Sequence, residues 1–503
     1  MGMAPHIRTV RTASGARAVQ IVYSKRGGKR ELEHIGSAHT DAEYELLVAA
    51  ARKKMAGGQG ELDLGFSDES AAALEITSTR MSVLIEAIRR IYTDLGIDDA
   101  TGGDEVFFHL VLARLVEPTS KLDSLRVLQE IGEDPVSYRT LTRRLASFSQ
   151  PAFRQGLAAT FAAQVDLGPT ALVLYDVSTL YFEAEEADGF REVGYSKERR
   201  IDPQITIGLL TDATGFALMV NAFAGNMAET RTMLPVIEAF KVAHDLANVT
   251  VVADAGMLSY ANRMSLMDSG LGYIIGKPLP EVPYVVEKWM EENPGEAPEE
   301  GQIFTEKSFT GPAGKRKEHR IYYQYRAARA RRTLRGIDQQ VEKAKNAIAG
   351  RAPVKRNRFL KVTGEERSLN DELVQKARDL AGYKAYITNL LPEVATAEFV
   401  IGAYHQLWQV EKSFRMSKHD LAARPIFHHP HDSIEAHLTV VFASLAVARR
   451  LEALTGWSLK KFITTARRYR TVTINTGNHE LTAAEPIPDD LQTALNAIHN
   501  RGH

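Results

Sequence analysis

No cysteine occurs among the 503 residues. Disulfide bridges, thiolate metal sites and cysteine nucleophiles are excluded together, and the composition suits a reducing compartment. Nor does any run approach the roughly 18 apolar residues of a membrane-spanning helix, and the opening MGMAPHIRTVRT lacks the apolar stretch of a secretory leader. The expectation is a soluble, cytoplasmic protein without a membrane partner. An excess of either charge is missing too: the net charge is -1, which argues against a uniformly basic binder of nucleic acid. Internal repeats and low-complexity tracts are also absent.

What is present is ordinary globular material, 44% hydrophobic and 25% charged, long enough for about three or four domains. Residues 7–35 alternate in strand fashion around Ser14-Gly15 and Gly27-Gly28, which predicts a small three-stranded sheet. Its arginines and lysines, with no acidic residue before Glu31, suit a phosphate-contacting surface and equally a solvated edge. A helix follows over 40–56, and GGQGELDLG reads as a linker. From 80 to 165 the pattern is helical. Within it TSKLDSLRVLQEIGEDPVSYRTLTRRLASF reads as helix, turn, helix, with Ser120 or Thr119 and then Ser137 as caps. Arg139, Arg143 and Arg144 lie on the second helix, in the position of a recognition helix for DNA.

At residue 170 the character changes. ALVLYDVSTLYF, QITIGLLTD, GFALMVNAF, VTVVADAG and LGYIIGKP read as strands. Helices MAETRTMLPVIEAFKVAH and LSYANRMSLMDSG separate the last three. The order is that of an α/β, ribonuclease-H-like mixed-sheet core. After Lys277 the rhythm stops for about 100 residues. There, 16 lysines and arginines face three acidic residues between Lys315 and Lys361. In a chain balanced overall this excess points to nucleic-acid contact. KAYITN is a returning strand.

The chemistry rests on YHQLWQVEKSFRMSK. Wound as one helix, Tyr404, Trp408, Glu411, Arg415 and Lys418 fall within roughly 80° of one another, beside an apolar stripe of Leu407, Val410 and Phe414. Asp176 and Asp254 each read as the end of a hydrophobic strand, where ligand-facing groups belong in parallel sheets. Singly, such an aspartate is more often a turn or helix cap. Together with Glu411 the two make three hard carboxylates from separate elements, suited to two Mg²⁺ ions, with Mn²⁺ as a substitute. Tyr404, Arg415 and Lys418 would hold a DNA phosphate, and Trp408 would stack on a base or cover the core's rim.

These pieces resemble the DDE transposases of bacterial insertion sequences, in particular the insertion-sequence-four superfamily. The likeness rests on YDVSTLYFE, VGYSKERRIDPQITIGLL, AFAGNMAET, VVADAG and the closing helix. The family helix runs Tyr, two residues, Arg, three residues, Glu, six residues, Lys. Tyr404, Glu411 and Lys418 match, whereas Leu407 stands at the Arg position. The resemblance implies a ribonuclease-H-like core in which Asp176, Asp254 and Glu411 bind two Mg²⁺, with an inserted domain before Glu411. It implies nicking at terminal inverted repeats in double-stranded DNA and 3′-hydroxyl transfer into target DNA within a homodimeric complex. Lys197 and Arg199, with Tyr195 and Ser196, lie in a polar loop shared with the family, and Gly225-Asn226 is expected to form a tight turn.

The expected organisation is a small β-sheet and helix domain (1–60) and a helical DNA-binding domain (75–168). The core's first part (169–278), an inserted basic domain (279–382), the core's second part (383–455) and a C-terminal region (456–503) follow. A haloacid-dehalogenase phosphatase would need a second aspartate where Ser178 stands. A non-catalytic DNA-binding protein, or a nuclease or resolvase with the same core, stays open on the residues alone.

Overall fold

The computed structural model describes the chain apart from residues 1–5, 13–14, 25–29, 57–74, 166–170, 183–186, 195–201, 245–248, 258, 312–315, 354–356, 364–365, 425, 427–429, 476–479 and 501–503. Two compact units are present: Met1–Leu157 with Ser417–Ala423 and Phe427–His503, and Ala158–Met416 with Arg424–Ile426. The expected GGQGELDLG linker and the polar loop holding Lys197 and Arg199 lie outside the described residues. Among the described residues no helix is long and apolar enough to cross a membrane.

In the first unit, the predicted N-terminal sheet forms from His6–Arg11, Arg17–Ser24 and Arg30–Ala38, all antiparallel. Helix Asp41–Ala56 closes its apolar face around Val19, Ile21 and Ala51. The helical region follows as α1 (Glu105–Val116), α2 (Lys121–Ile131) and α3 (Tyr138–Phe148). Both expected caps are made: Ser120 Oγ accepts the Asp123 N–H and Ser137 Oγ accepts the Thr140 N–H. Gly132 ends α2 at φ +87°, and a Cβ there would lie 2.4 Å from the Thr79 carbonyl, so only glycine fits. α2 and α3 both pack on α1, and α3 also on the long helix His431–Thr455.

The second unit is a mixed α/β layer built on eight strands. In chain order they are β1 (Leu172–Tyr181), β2 (Gln204–Asp212), β3 (Ala217–Ala224), β4 (Thr250–Ala253), β5 (Gly272–Lys277), β6 (Ile303–Thr310), β7 (Lys317–Tyr325) and β8 (Tyr383–Thr388). The spatial order is β6-β7-β8-β5-β4-β1-β2-β3, with β1, β4 and β5 mutually parallel and every other pairing antiparallel. The predicted hairpin joins β2 to β3, where Asp212 Oδ1 accepts the Thr214 and Phe216 N–H groups and Gly215 sits at φ +84°. β2 is buried at all nine positions because α4 (Glu229–His244) packs on it, as does a helix of the site described below.

One expectation fails here. The stretch after Lys277 does not leave the α/β pattern: β6 and β7 extend the same sheet. Its charge masked the pattern, since Ile321, Tyr322, Tyr323 and Tyr325 of β7 are buried between flanking cations. Of the 16 lysines and arginines, six lie on α5 (Ala327–Ile348) and five more follow it in the sequence up to Lys361.

Candidate active site

The sheet brings two of the three expected carboxylates level. Leu174 of β1 pairs with Val252 of β4; the same parallel register, carried two residues on, sets Asp176 beside Asp254 on strands roughly 4.8 Å apart. Side chains alternate along a strand. Tyr175 points to the α4 side, where its hydroxyl donates to Thr232 Oγ1 at 2.9 Å. Asp176 therefore faces the other way. Asp254 follows directly on the last residue of β4, as expected. Asp176 does not end its strand: it is the fifth of ten residues in β1, half-buried and paired in register with Leu209. The apolar run continues past it as VSTLY, whose β-branched residues keep pairing with β2.

The third carboxylate arrives from the face opposite α4. α6 (Ala397–His405) packs on β4, β5 and β8, and α7 (Trp408–Arg415), the second helix covering β2, packs on β1 and β2. The single helix expected over 404–418 is thus two helices and a wider turn. Gln406, Leu407 and Gln409 donate to residues three back, tightening the backbone between α6 and α7. A π-helical turn, Met416–Asp420, follows α7.

This break reassigns Tyr404. A uniform helix sets it on the exposed edge with Glu411, but it is buried, and its hydroxyl donates to Asp254 Oδ1 at 2.7 Å. It orients a carboxylate and is not displayed toward a phosphate. Gly276 on β5 makes the room: a Cβ there would fall 2.6 Å from the Tyr404 oxygen. Burial, then the bond to Asp254, raise the Tyr404 pKa, with Glu411 adding in the same direction. Asp254 and Glu411 therefore act on one hydroxyl. Both also act on Lys384 of β8, whose pKa is lowered by burial and by Arg329 and raised by these two carboxylates. Lys384 Nζ lies 4.2 Å from the Tyr404 ring centroid.

Of the other expected residues, Glu411, Trp408 and Arg415 are exposed on α7, whereas Leu407, Val410 and Phe414 are buried as anticipated. Lys418 falls in the π-helical turn, within the other compact unit. Arg139 and Arg143 stand exposed on α3. Arg144 does not join them: its guanidinium pairs with Asp104, the cap of α1, because its position on α3 turns it toward that helix. The expected tight turn at Gly225-Asn226 is made, with the Met227 N–H donating to the Ala224 carbonyl at 2.9 Å.

Lys384, Tyr386 and Gly276 were missed in the sequence. A lysine inside the apolar strand YKAYIT was the available signal for the first.

Three hard carboxylates on one face suit a divalent cation by donor type. Among the described residues no three such side chains already converge closely enough to hold an ion.

Residues 168–446 match the family model described as transposase DDE domain. That span holds Asp176, Asp254 and Glu411. No curated protein matches the chain. A solved structure, described as the cryo-EM structure of a piggyBac transposase synaptic complex with hairpin DNA, is similar over 77% of this chain and 78% of that one. Identity there is 11% and the TM-score 0.37, so no residue is carried across from it. The family match covers more than half of the sequence, and the chain belongs to the transposases with a DDE domain.

Proposed function

We propose that the protein is the transposase of a bacterial insertion sequence of the insertion-sequence-four kind. It nicks its element's ends and joins the freed 3′-hydroxyl to target DNA. The observation that carries this is the delivery of Asp176, Asp254 and Glu411 to one face of the sheet inside the family-matched span. The mixed sheet around β1, β4 and β5 supports a ribonuclease-H-like core, with residues 279–382 as its inserted, basic part. Asp176, Asp254 and Glu411 would hold two Mg²⁺ ions, or Mn²⁺ in their place. Bound there, the ions would activate the attacking oxygen and offset charge on the leaving one.

The chain's own groups supply the rest. Tyr404 fixes the carboxylate plane of Asp254 through its hydrogen bond. Arg415 and Trp408, exposed on α7, are available to a phosphate and a base. Arg139 and Arg143 on α3 would read the terminal inverted repeats, in a cytoplasmic homodimer assembled on DNA.

The test is strand transfer of a labelled, 3′-processed element end into plasmid DNA in Mg²⁺ or Mn²⁺, with wild type beside Glu411→Gln and Asp254→Asn. Joined product from wild type alone is the expected result. Cutting without joining identifies a nuclease, and binding without chemistry in either metal removes the catalytic reading.

A further inference from the structure

One cation on which Asp254 and Glu411 both act, Lys384, lies off the signature helix. Leu407, at the signature's arginine position, is buried and brings no charge to the site. On β8, alternation puts Lys384 and Tyr386 on one face. The Lys384 ammonium lies 4.2 Å from the ring centroid of Tyr404 and 5.8 Å from that of Tyr386. The Tyr404 hydroxyl in turn holds Asp254. Arg329, near the start of α5, reaches the carbonyl oxygens of Gln324 and Gly382, at 3.5 and 3.4 Å, and the side chain of Tyr386.

Among the described residues, neither Lys384 nor Arg329 forms an ion pair. Two like charges held near each other in half-buried positions are unfavourable unless an anion joins them. Asp254 and Glu411 offset Lys384 now. Once divalent cations occupy those carboxylates, the offset is withdrawn and the pair needs a different anion. The anion brought to such a site by DNA is a backbone phosphate.

We propose that Lys384, with Arg329 beside it, is the phosphate-holding cation of this site, supplied from β8 and α5 in place of the arginine absent at Leu407. The assignment rests on the transposase reading above. Lys384 and Arg329 are thus DNA-positioning residues: they fix the strand against the carboxylates by a contact that ignores base sequence.

The experiment uses the full chain, a fluorescein-labelled random-sequence duplex titrated across a salt series, and calorimetric titration with Mn²⁺ alone. Lys384→Met keeps the side chain's length and removes its charge. It is expected to weaken duplex binding about 10- to 100-fold and to lower the slope of log affinity against log salt by about one. It should also tighten Mn²⁺ binding by roughly 3- to 10-fold, since an ammonium no longer opposes the ion. Lys384→Arg retains wild-type duplex binding. General damage to the fold would weaken both ligands together, so parallel losses overturn the proposal. An unchanged salt slope overturns it as well. Wild type that binds no duplex removes the transposase reading and this assignment with it; a wild type that binds, beside an indistinguishable Lys384→Met, removes the assignment alone.

Discussion

In the unit formed by the N- and C-terminal segments, Arg126 meets the carboxylates of Glu117, Asp123 and Glu130 at 2.8 Å each. Arg80 and His109 close on Glu133, and Arg154 on Glu435. Beside Asp254 and Glu411 in the other unit, Lys384 rests on a tyrosine ring, and Arg329 touches carbonyl oxygens and the Tyr386 side chain. Positive charge in the first setting is matched inside the protein and ties helices together. In the second, Lys384 is offset at longer range by the site's own carboxylates. Counting lysines and arginines along a sequence cannot separate these two uses; their partners do.

The sharpest way to break this contrast is to change the acidic residues on each side. Glu411→Gln and Asp254→Asn are predicted to lower strand transfer about 10³-fold or more while leaving the thermal midpoint within a degree or two of wild type. Both carboxylates are exposed, and among the described residues neither forms a salt bridge. Glu133→Gln should do the reverse. His109 first and Arg80 second hold the Glu133 carboxyl at about 2, against an ordinary 4.5. A depressed carboxyl stabilises the fold above its unfolded pKa and loses that contribution as pH falls through its folded one. Urea unfolding should therefore show Glu133→Gln destabilised by roughly 2–4 kcal/mol at pH 7. The gap should shrink between pH 4.5 and about 2. A gap that does not depend on pH would place the effect elsewhere than in the Arg80–Glu133–His109 cluster.

A smaller contrast lies within α3. Arg139→Ala and Arg143→Ala, at exposed positions, should each weaken duplex binding about 10-fold and reduce its salt slope by about one without altering stability. Arg144→Ala should leave the salt slope alone and destabilise by roughly 1 kcal/mol, because it strands Asp104 at the cap of α1. Equal loss of DNA affinity in all three would make Arg144 part of the reading face and dissolve the distinction.

The strand and helix order from 170 onward was legible because buried strands leave short apolar runs and amphipathic helices leave a 3.6-residue period. Asp254 was legible for the same reason, since the run stops at it. Asp176 was located but misplaced at a strand end. A change from apolar to mixed residues at a fixed point marks burial, and pairing with β2 continues beyond it. β6 and β7 were hidden by charge, as Glu306-Lys307 interrupts the first and the run Lys317 to Arg320 opens the second like a solvated segment. Tyr404 was assigned to the wrong surface because a helical wheel assumes uniform winding, and three bonds to residues three back between α6 and α7 break it. Lys384 needed the third dimension altogether: 27 positions separate it from Glu411 and 130 from Asp254.

The smallest predicted effect probes that reassigned tyrosine. Tyr404→Phe keeps the ring beneath Lys384 and its edge-on contact with Tyr386, whose centroid lies 5.1 Å away. It deletes only the hydroxyl that donates to Asp254. One hydrogen bond to a carboxylate contributes about 1–2 kcal/mol, so strand transfer should fall about 5- to 30-fold with duplex affinity and its salt slope unchanged. A tyrosine that held a phosphate would give the opposite pattern, with binding weakened first. Gly276→Ala should follow Tyr404→Phe in kind and exceed it in size, since its methyl would press on the Tyr404 oxygen from 2.6 Å and turn the ring away from Asp254. In a Tyr404→Phe background the same glycine change meets ring carbons at 3.0 Å and has no hydroxyl left to displace. The two effects should then combine to less than their sum. Additive losses would mean that Gly276 acts through the sheet and not through Tyr404.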